Sequence, residues 1–239
     1  MKGVILAGGT GSRLTPLTKV TNKHLLPIGK QPMMMHAVNK LVEAGIDDIM
    51  VITGTEHMGD MITLLGSGSE YNCNFTFRVQ AQPDGIAGAL LLCENFSAND
   101  SILVILGDNI FEDDLTEIIE KFESHSSNSS SKCLLCLKAV EDPHRFGVPE
   151  IVNESIVRIV EKPKDPLSNF CVTGIYVYDS SVFDFIRSLQ KSDRDEYEIT
   201  DVNNMYIKMG VAIAHVLPGW WTDAGTHSSY HLANKLIRD

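Results

Sequence analysis

Short apolar runs alternate along the chain with stretches whose apolar residues recur every three or four positions. Gly3–Ala7, Asp48–Thr53, Phe75–Val79 and Ile102–Leu106 are short and nearly continuous, the pattern of strands covered on both faces. Between them, Met33–Glu43, His57–Leu65 and Ile86–Glu94 carry helical spacing. Alternation of this kind predicts a mainly parallel sheet with helices on both sides. Leu115–Phe122 reads as a further helix, and the serine-dominated stretch Glu123–Lys132, without apolar periodicity, predicts a solvated loop.

Beyond that stretch the pattern changes. Cys133–Val140, Gly147–Val152, Ile156–Glu161 and Cys171–Tyr178 are strand-like and follow one another with little helix between. Helices at Val182–Leu189 and Glu198–Met209, a strand at Val211–Leu217 and a last helix from His227 complete the chain. There is no internal repeat and no linker suited to independent domains. The expected architecture is a single α/β domain over residues 1–239, Rossmann-like, with a mainly parallel central sheet flanked by helices. Ligands of open parallel sheets sit beyond the carboxyl ends of the strands. The unusual sequences fall at those ends: Gly8–Leu14 after the first strand and Gly107-Asp108-Asn109 after the fourth.

Composition narrows the function classes. The 239 residues are 44% hydrophobic and 21% charged, enough to bury a substantial core, and no apolar run reaches the roughly 20 residues of a membrane span. Met1–Gly9 superficially suggests a signal peptide, but its apolar part is short and runs into a glycine loop. A buried strand and a cytoplasmic protein are expected. The net charge of -11 argues against a broad basic face for nucleic acid or anionic membrane, while a few local cations suffice for a small phosphate ligand. Cys133 and Cys136 form the only CxxC among five cysteines; with no second such pair and no nearby histidine pair, they read as buried thiols rather than zinc ligands.

The first loop is Leu6-Ala7-Gly8-Gly9-Thr10-Gly11-Ser12-Arg13-Leu14. Its glycines let the backbone turn sharply and approach a phosphate, with successive N–H groups directed at the oxygens. Arg13 adds a permanent planar cation. Leu14 stands where a G-x-G-x-x-G would need its last glycine, and the Walker A ending is absent. A tight turn after the strand accounts for the loop equally well. Lys23, in Thr21-Asn22-Lys23-His24-Leu25-Leu26-Pro27, is either an ordinary surface residue or a second cation for a triphosphate.

These two segments together resemble the signature of the sugar nucleotidyltransferases. Six later segments are similar to the glucose-1-phosphate thymidylyltransferase branch of that family: Leu106-Gly107-Asp108-Asn109-Ile110-Phe111, Arg145-Phe146-Gly147-Val148, Glu161-Lys162-Pro163, Val172-Thr173-Gly174, Glu198-Ile199-Thr200-Asp201 and Trp221-Thr222-Asp223-Ala224-Gly225-Thr226-His227. The match runs in order over nearly the whole chain. It implies an enzyme that forms dTDP-glucose and pyrophosphate from dTTP and glucose 1-phosphate by direct displacement at the α-phosphate. Residues 1–122 would be the nucleotide-binding half and 133–239 the sugar-phosphate-binding half.

The resemblance also implies roles. Asp108 and Asp223 would hold Mg²⁺ as the cofactor, a cation that takes a few carboxylates together with waters and phosphate oxygens. Arg13, Lys23, Asp108, Lys162 and Asp223 would be catalytic. Leu6, Gly8, Gly9, Gly11, Arg13, Lys23, Gln80, Gly85 and Asp108 would bind the nucleotide. Phe146, Gly147, Glu161, Lys162, Val172 and Arg194 would bind the sugar phosphate. Gln80 suits a pyrimidine because its amide both donates and accepts. His24 and Gly88 stand where the family usually has glutamine, which leaves base selectivity open.

Plainer readings stand beside these. Gly107-Asp108-Asn109 would serve as a turn, Asp223 as a helix cap, Glu161 and Lys162 as a strand-end pair, and Arg194 as part of a solvated charge cluster. Glu112-Asp113-Asp114 reads as acid favouring the start of the following helix. His227 and His231 lie one turn apart but lack the glutamate of HExxH, so zinc is not expected. The rival functions are the same reaction with UTP, which differs by one methyl group worth ~1–3 kcal/mol, and a non-catalytic nucleotide-sugar sensor. An NAD-dependent oxidoreductase lacks its glycine fingerprint here. The expected partners are dTTP and glucose 1-phosphate as substrates and further copies of the chain in a homo-oligomer, with no nucleic acid and no membrane. Longer members of the family continue past the last helix into segments that help form a second, inhibitory nucleotide site. The end at Asp239 gives the expectation that end products compete with dTTP at the active site only.

Overall fold

A continuous apolar run needs cover on both faces, and the first strand has it: in β1 (Lys2–Ala7) every residue after Lys2 is buried. The computed structural model describes residues 1–129, 132–153 and 155–237. After β1 come β2 (Pro27–Ile28), β3 (Gln31–Pro32), α1 (Met33–Glu43), β4 (Asp48–Thr53), α2 (Met58–Leu65), β5 (Asn74–Val79), α3 (Gly85–Leu91), α4 (Glu94–Ser97), β6 (Ile102–Leu106), β7 (Asn109–Phe111) and α5 (Leu115–Ser129). The chain continues through β8 (Cys133–Ala139), β9 (Gly147–Val152), β10 (Ser155–Glu161), β11 (Phe170–Tyr178), α6 (Val182–Ser188), α7 (Ile199–Lys208), β12 (Ala212–Val216), β13 (Trp221–Asp223) and α8 (His227–Leu236). The class is the expected one, α/β with a mostly parallel central sheet flanked by helices.

Residue contacts divide the chain into two units. The first comprises Met1–Pro83, Leu103–Leu115 and Gly219–Asp239. Its strands run in the order β6-β1-β4-β5, with β1, β4 and β5 parallel. Helix α1 turns Met34, Ala37, Val38 and Leu41 inward, the three-and-four spacing that put it in the sequence pattern. Ala233 of α8 joins Ile28, Met33, Ile110 and Ala224 in a buried cluster. A small antiparallel ribbon pairs β13 with β7.

The second unit comprises Asp84–Ile102 and Thr116–Pro218. Its strands run β12-β8-β11, β8 being parallel to β12 and antiparallel to β11. The hairpin β9–β10 is anchored by Asn204 of α7, whose amide accepts from the Ile159 N–H at 2.8 Å and donates to the Ile159 carbonyl at 2.9 Å.

Two expectations need correction, and one pairing was not expected at all. The predicted loop Glu123–Lys132 is helical as far as Ser129, with residues 130 and 131 outside those described. Poor helix formers cost only tenths of a kcal/mol each, and the carbonyl of Lys121 binds both the Ser124 hydroxyl and the His125 ring. The predicted helix Ile86–Glu94 is interrupted: Leu92 and Cys93 donate to Ala89 and Leu90, a tightened turn that ends α3 before α4 begins. The ribbon strands β7 and β13 have no counterpart in the sequence pattern. The five cysteines are buried and form no disulfide, Cys133 and Cys136 among them as expected, and among the described residues no helix is long and apolar enough to cross a membrane.

Candidate functional site

In the first unit, β1 gives way to the turn Gly8–Gly11. Gly11 has φ 67°, and a β-carbon there would lie 2.8 Å from Thr18 Cγ2 and 2.9 Å from Lys23 Cβ. Both the left-handed backbone and the crowding require glycine. Residues Lys23–Leu25 form a single helical turn, capped by the Asn22 side chain accepting from the His24 N–H at 2.9 Å. This turn buries Lys23, which is therefore no surface residue. Its ammonium lies 2.5 Å from Asp108 Oδ2 and 3.4 Å from where a side chain at Gly9 would begin.

Asp108 lies between β6 and β7, and its surroundings are set from a distant part of the chain. The register of β7 with β13 puts Asp223 opposite Asn109, and the Asp108 carbonyl accepts from the Ala224 N–H at 2.7 Å. Trp221 Nε1 donates to Asn109 Oδ1 at 2.7 Å, and Asn109 Nδ2 donates to Asp108 Oδ1 at 3.0 Å. Burial acts to protonate Asp108, but the Lys23 ammonium, aided by the Asn109 N–H, holds its carboxyl well below the usual carboxylate range.

Gly225 marks where these groups meet. A β-carbon there would lie 3.1 Å from Arg13 Nη2, 3.4 Å from Asp108 Oδ2 and 3.6 Å from Asp223 Oδ2. Among the described residues no three His, Cys, Asp or Glu side chains gather as a metal cage. Two convergent carboxylate oxygens beside an exposed guanidinium suit a hard cation that takes its remaining ligands from water and a phosphate, as Mg²⁺ does. The residues fit that ion.

His24 lies beneath the turn at Gly107, its Nδ1 2.7 Å from Asn22 Oδ1. Burial first, and the Lys23 charge second, lower its pKa to about 3. It is neutral in the folded protein and titrates near its ordinary value, ~6.5, when unfolded. The unfolded chain therefore binds the extra proton between those values, and stability falls as pH drops below ~6.5. His24→Gln is expected to remove this dependence, flattening the stability loss by roughly 1.4 kcal/mol per pH unit. Urea unfolding at pH 7 and pH 4.5 measures it; identical slopes in the two proteins would refute it.

A cleft of about 190 Å³ opens beside the glycine turn, lined by Gly8, Gly9, Thr21, Asn22, His57 and Gln80 among others. Gln80 Oε1 reaches to 3.2 Å from the β-carbon position at Gly8. Leu6 is buried within β1, and its carbonyl accepts from the Gly107 N–H at 2.9 Å. Gly85 belongs to the second unit, where it opens α3 against the Tyr197 backbone.

The second unit gathers the remaining residues. Glu161 ends β10 opposite Gly147 on β9. One of its oxygens, Oε2, accepts from Thr200 Oγ1 at 2.6 Å. The other, Oε1, lies 3.3 Å from Lys162 Nζ and 3.5 Å from Arg194 Nη2. Lys162 takes a left-handed φ of 43° while its N–H donates to the Phe146 carbonyl at 2.9 Å. Val172 is buried on β11 just before an irregularity in its pairing with β8. Arg194 is not simply solvated: its Nε and Nη2 bind the two oxygens of Glu198 at 3.1 Å and 2.6 Å. Burial alone would raise the Glu198 pKa, but the bonds from Arg194 and from the Ser192 hydroxyl outweigh it and lower the pKa.

The plainer readings fare variously. Thr226, not Asp223, caps α8, through a reciprocal box with Ser229. Glu112 and Asp113 also serve the backbone: their carboxylates accept from the N–H groups of Trp220 and Gly219 at 3.2 Å and 3.0 Å. His227 bonds the Thr15 carbonyl at 2.9 Å. Sequence reasoning assigned no role to Asn109, Trp221, Thr200 or Glu198. Each lies inside or beside a quoted motif, the one signal that pointed to it.

The profile of a family described as nucleotidyl transferase matches residues 2–239. The chain is 38% identical over 239 residues to the low-salt glycan biosynthesis nucleotidyltransferase Agl11 of Haloferax volcanii, covering 99% of this chain and 66% of that protein. It is 40% identical over 243 residues to a glucose-1-phosphate thymidylyltransferase of Neisseria meningitidis, covering 100% of this chain and 83% of that one. A Bacillus anthracis protein given the same enzyme name, crystallised with sucrose, superposes with a TM-score of 0.95 at 57% identity, covering 100% of this chain and 96% of that one.

Proposed function

We propose, because the chain belongs to the nucleotidyl transferase family and gathers Arg13, Asp108 and Asp223 within 3.6 Å of the β-carbon position at Gly225, that it joins glucose 1-phosphate to dTTP, forming dTDP-glucose and releasing pyrophosphate. The names of its relatives support the substrates, and the convergence at Gly225 is the observation that carries the chemistry. An oxygen of the sugar's phosphate attacks the α-phosphorus; as that bond forms, the bond from the α-phosphorus to the bridging oxygen breaks and pyrophosphate takes the electron pair. The attacking oxygen is already anionic at pH 7, so no protein nucleophile is required. The protein's task is to bring two polyanions together and align them.

In this reading the N–H groups of Gly8–Gly11 cradle phosphate oxygens, Arg13 takes the leaving pyrophosphate and Lys23 the α-phosphate region. Asp108 and Asp223 would hold Mg²⁺, which when bound supplies positive charge to the phosphates. Lys162 and Arg194 receive the sugar's phosphate, while Glu161 and the backbone of Gly147 and Val172 take its hydroxyls. We extend the reading to a homo-oligomer working in the cytoplasm. Pyrophosphate release from dTTP with glucose 1-phosphate, measured beside UTP, tests it. Nucleotide binding without release would make the chain a sensor, and faster turnover of UTP would make it a uridylyltransferase. Gln80→Ala, losing the amide that faces the cleft, is expected to weaken dTTP binding by about 1–3 kcal/mol. Calorimetry showing unchanged affinity would mean that other groups read the base.

A further inference from the structure

Arg194 is a long, half-exposed side chain on the loop between α6 and α7, and an unrestrained arginine there would surrender considerable rotamer freedom on meeting an anion. It is not unrestrained. Glu198, at the start of α7, holds it by both carboxylate oxygens. Glu198 is itself fixed: its side chain is only 13% exposed, and the Ser192 hydroxyl donates to its Oε1 at 2.6 Å. The loop closes on the same serine, whose Oγ lies 3.3 Å from the Arg194 N–H and whose own N–H donates to the Glu196 carbonyl at 2.9 Å.

The consequence is directional. A guanidinium carries five N–H donors in a fixed plane. Glu198 occupies Nε and one edge of Nη2, and Nη2 also faces Glu161 Oε1 at 3.5 Å and Glu196 Oε2 at 3.9 Å. Nη1 makes no hydrogen bond or ion pair among the described residues. Lys162 Nζ lies against that same Glu161 oxygen, so two cations share one neighbourhood with Nη1 available. We propose that Glu198 is a positioning residue, which clamps Arg194 so that its Nη1 edge and Lys162 jointly receive the phosphate of the sugar phosphate. The clamp leaves the positive charge in place and removes the cost of ordering it. This rests on the function proposed above.

Glu198→Gln keeps the shape and removes the charge that grips both donors. It is expected to raise KM for glucose 1-phosphate about tenfold, with kcat and KM for dTTP changed less than about twofold. Arg194→Ala raises the same KM by itself. The double variant Arg194→Ala/Glu198→Gln is expected to be no worse than Arg194→Ala, because the clamp then has nothing to hold. Ser192→Ala, which removes only the bond to the clamp, produces a smaller rise and serves if Glu198→Gln unfolds. An additive double variant, or an unchanged KM for glucose 1-phosphate in both Glu198→Gln and Ser192→Ala, overturns the proposal. Binding of inorganic phosphate by calorimetry separates this from failure of the reaction itself. If the unaltered protein releases no pyrophosphate, the proposed function fails. Phosphate binding weakened about tenfold in Glu198→Gln still supports the clamp, whereas equal binding, or none in the unaltered protein, overturns it.

Discussion

Asp223→Asn is expected to lower kcat by roughly two to four orders of magnitude, the several kcal/mol that a metal's charge contributes to phosphoryl transfer, with the fold intact. The side chain lies at the end of β13, and Asn preserves its size and the backbone register with Asn109. What it removes is one of two carboxylate oxygens directed at the Gly225 position, and a neutral amide is a poor ligand for Mg²⁺. Asp108→Asn is expected to cut kcat as deeply, but with a loss of stability as well, because Asp108 is also the buried partner of Lys23. The contrast in melting temperature separates the two roles. EDTA should abolish turnover of the unaltered enzyme, and excess Mg²⁺ should restore it. A folded Asp223→Asn enzyme with near-normal turnover would remove Asp223 from the proposed metal site.

The backbone of this arrangement was legible in the sequence, and the assembly was not. Runs such as Ile102–Leu106 declare themselves because every position is apolar, and Met33–Glu43 because its apolar positions recur with the helical period; both have the predicted bounds. The three-residue strands β7 and β13 are too short to show any alternation. They exist because each is the other's partner across the chain, with Trp221 against Phe111 and Asp223 against Asn109. That pairing brings the second aspartate to the first, and no local pattern encodes it. Lys23 shows a similar limit. Its neighbours Asn22 and His24 look like a solvated turn, and its burial follows only from the carboxylate of Asp108, 85 positions away. In the second unit Glu161-Lys162 and Glu198 both lay in visible motifs, Glu198 at the start of a predicted helix, but only the first pair had been given a role. That of Glu198 appears only when Arg194 folds back on it.

Lys23→Met is expected to cost stability as well as turnover, and the two losses separate in a double variant. Lys23 and Asp108 are both nearly buried, and deleting one partner of a buried pair leaves an uncompensated charge, at a cost of about 3–5 kcal/mol. At ~2–4 °C per kcal/mol for a chain of this size, Lys23→Met should melt roughly 6–20 °C lower. Asp108→Asn added to it removes the stranded charge, so Lys23→Met/Asp108→Asn should recover most of that loss. Activity should not recover, because on the proposed function the cation for the α-phosphate region and a metal ligand are then both gone. The sign of the pH effect follows. In the unaltered protein the Asp108 pKa is depressed, so the pair's contribution is present above the unfolded carboxylate value of ~3.9 and is lost only as pH falls through the folded value. In Lys23→Met that depression is gone and burial raises the pKa, so the carboxyl takes a proton and its penalty shrinks as pH falls toward ~4. The stability gap between the two proteins should therefore narrow on acidification. A Lys23→Met enzyme with an unchanged melting temperature, or a double variant no more stable than it, would show that the pair is not the buried ion pair on which the site is built.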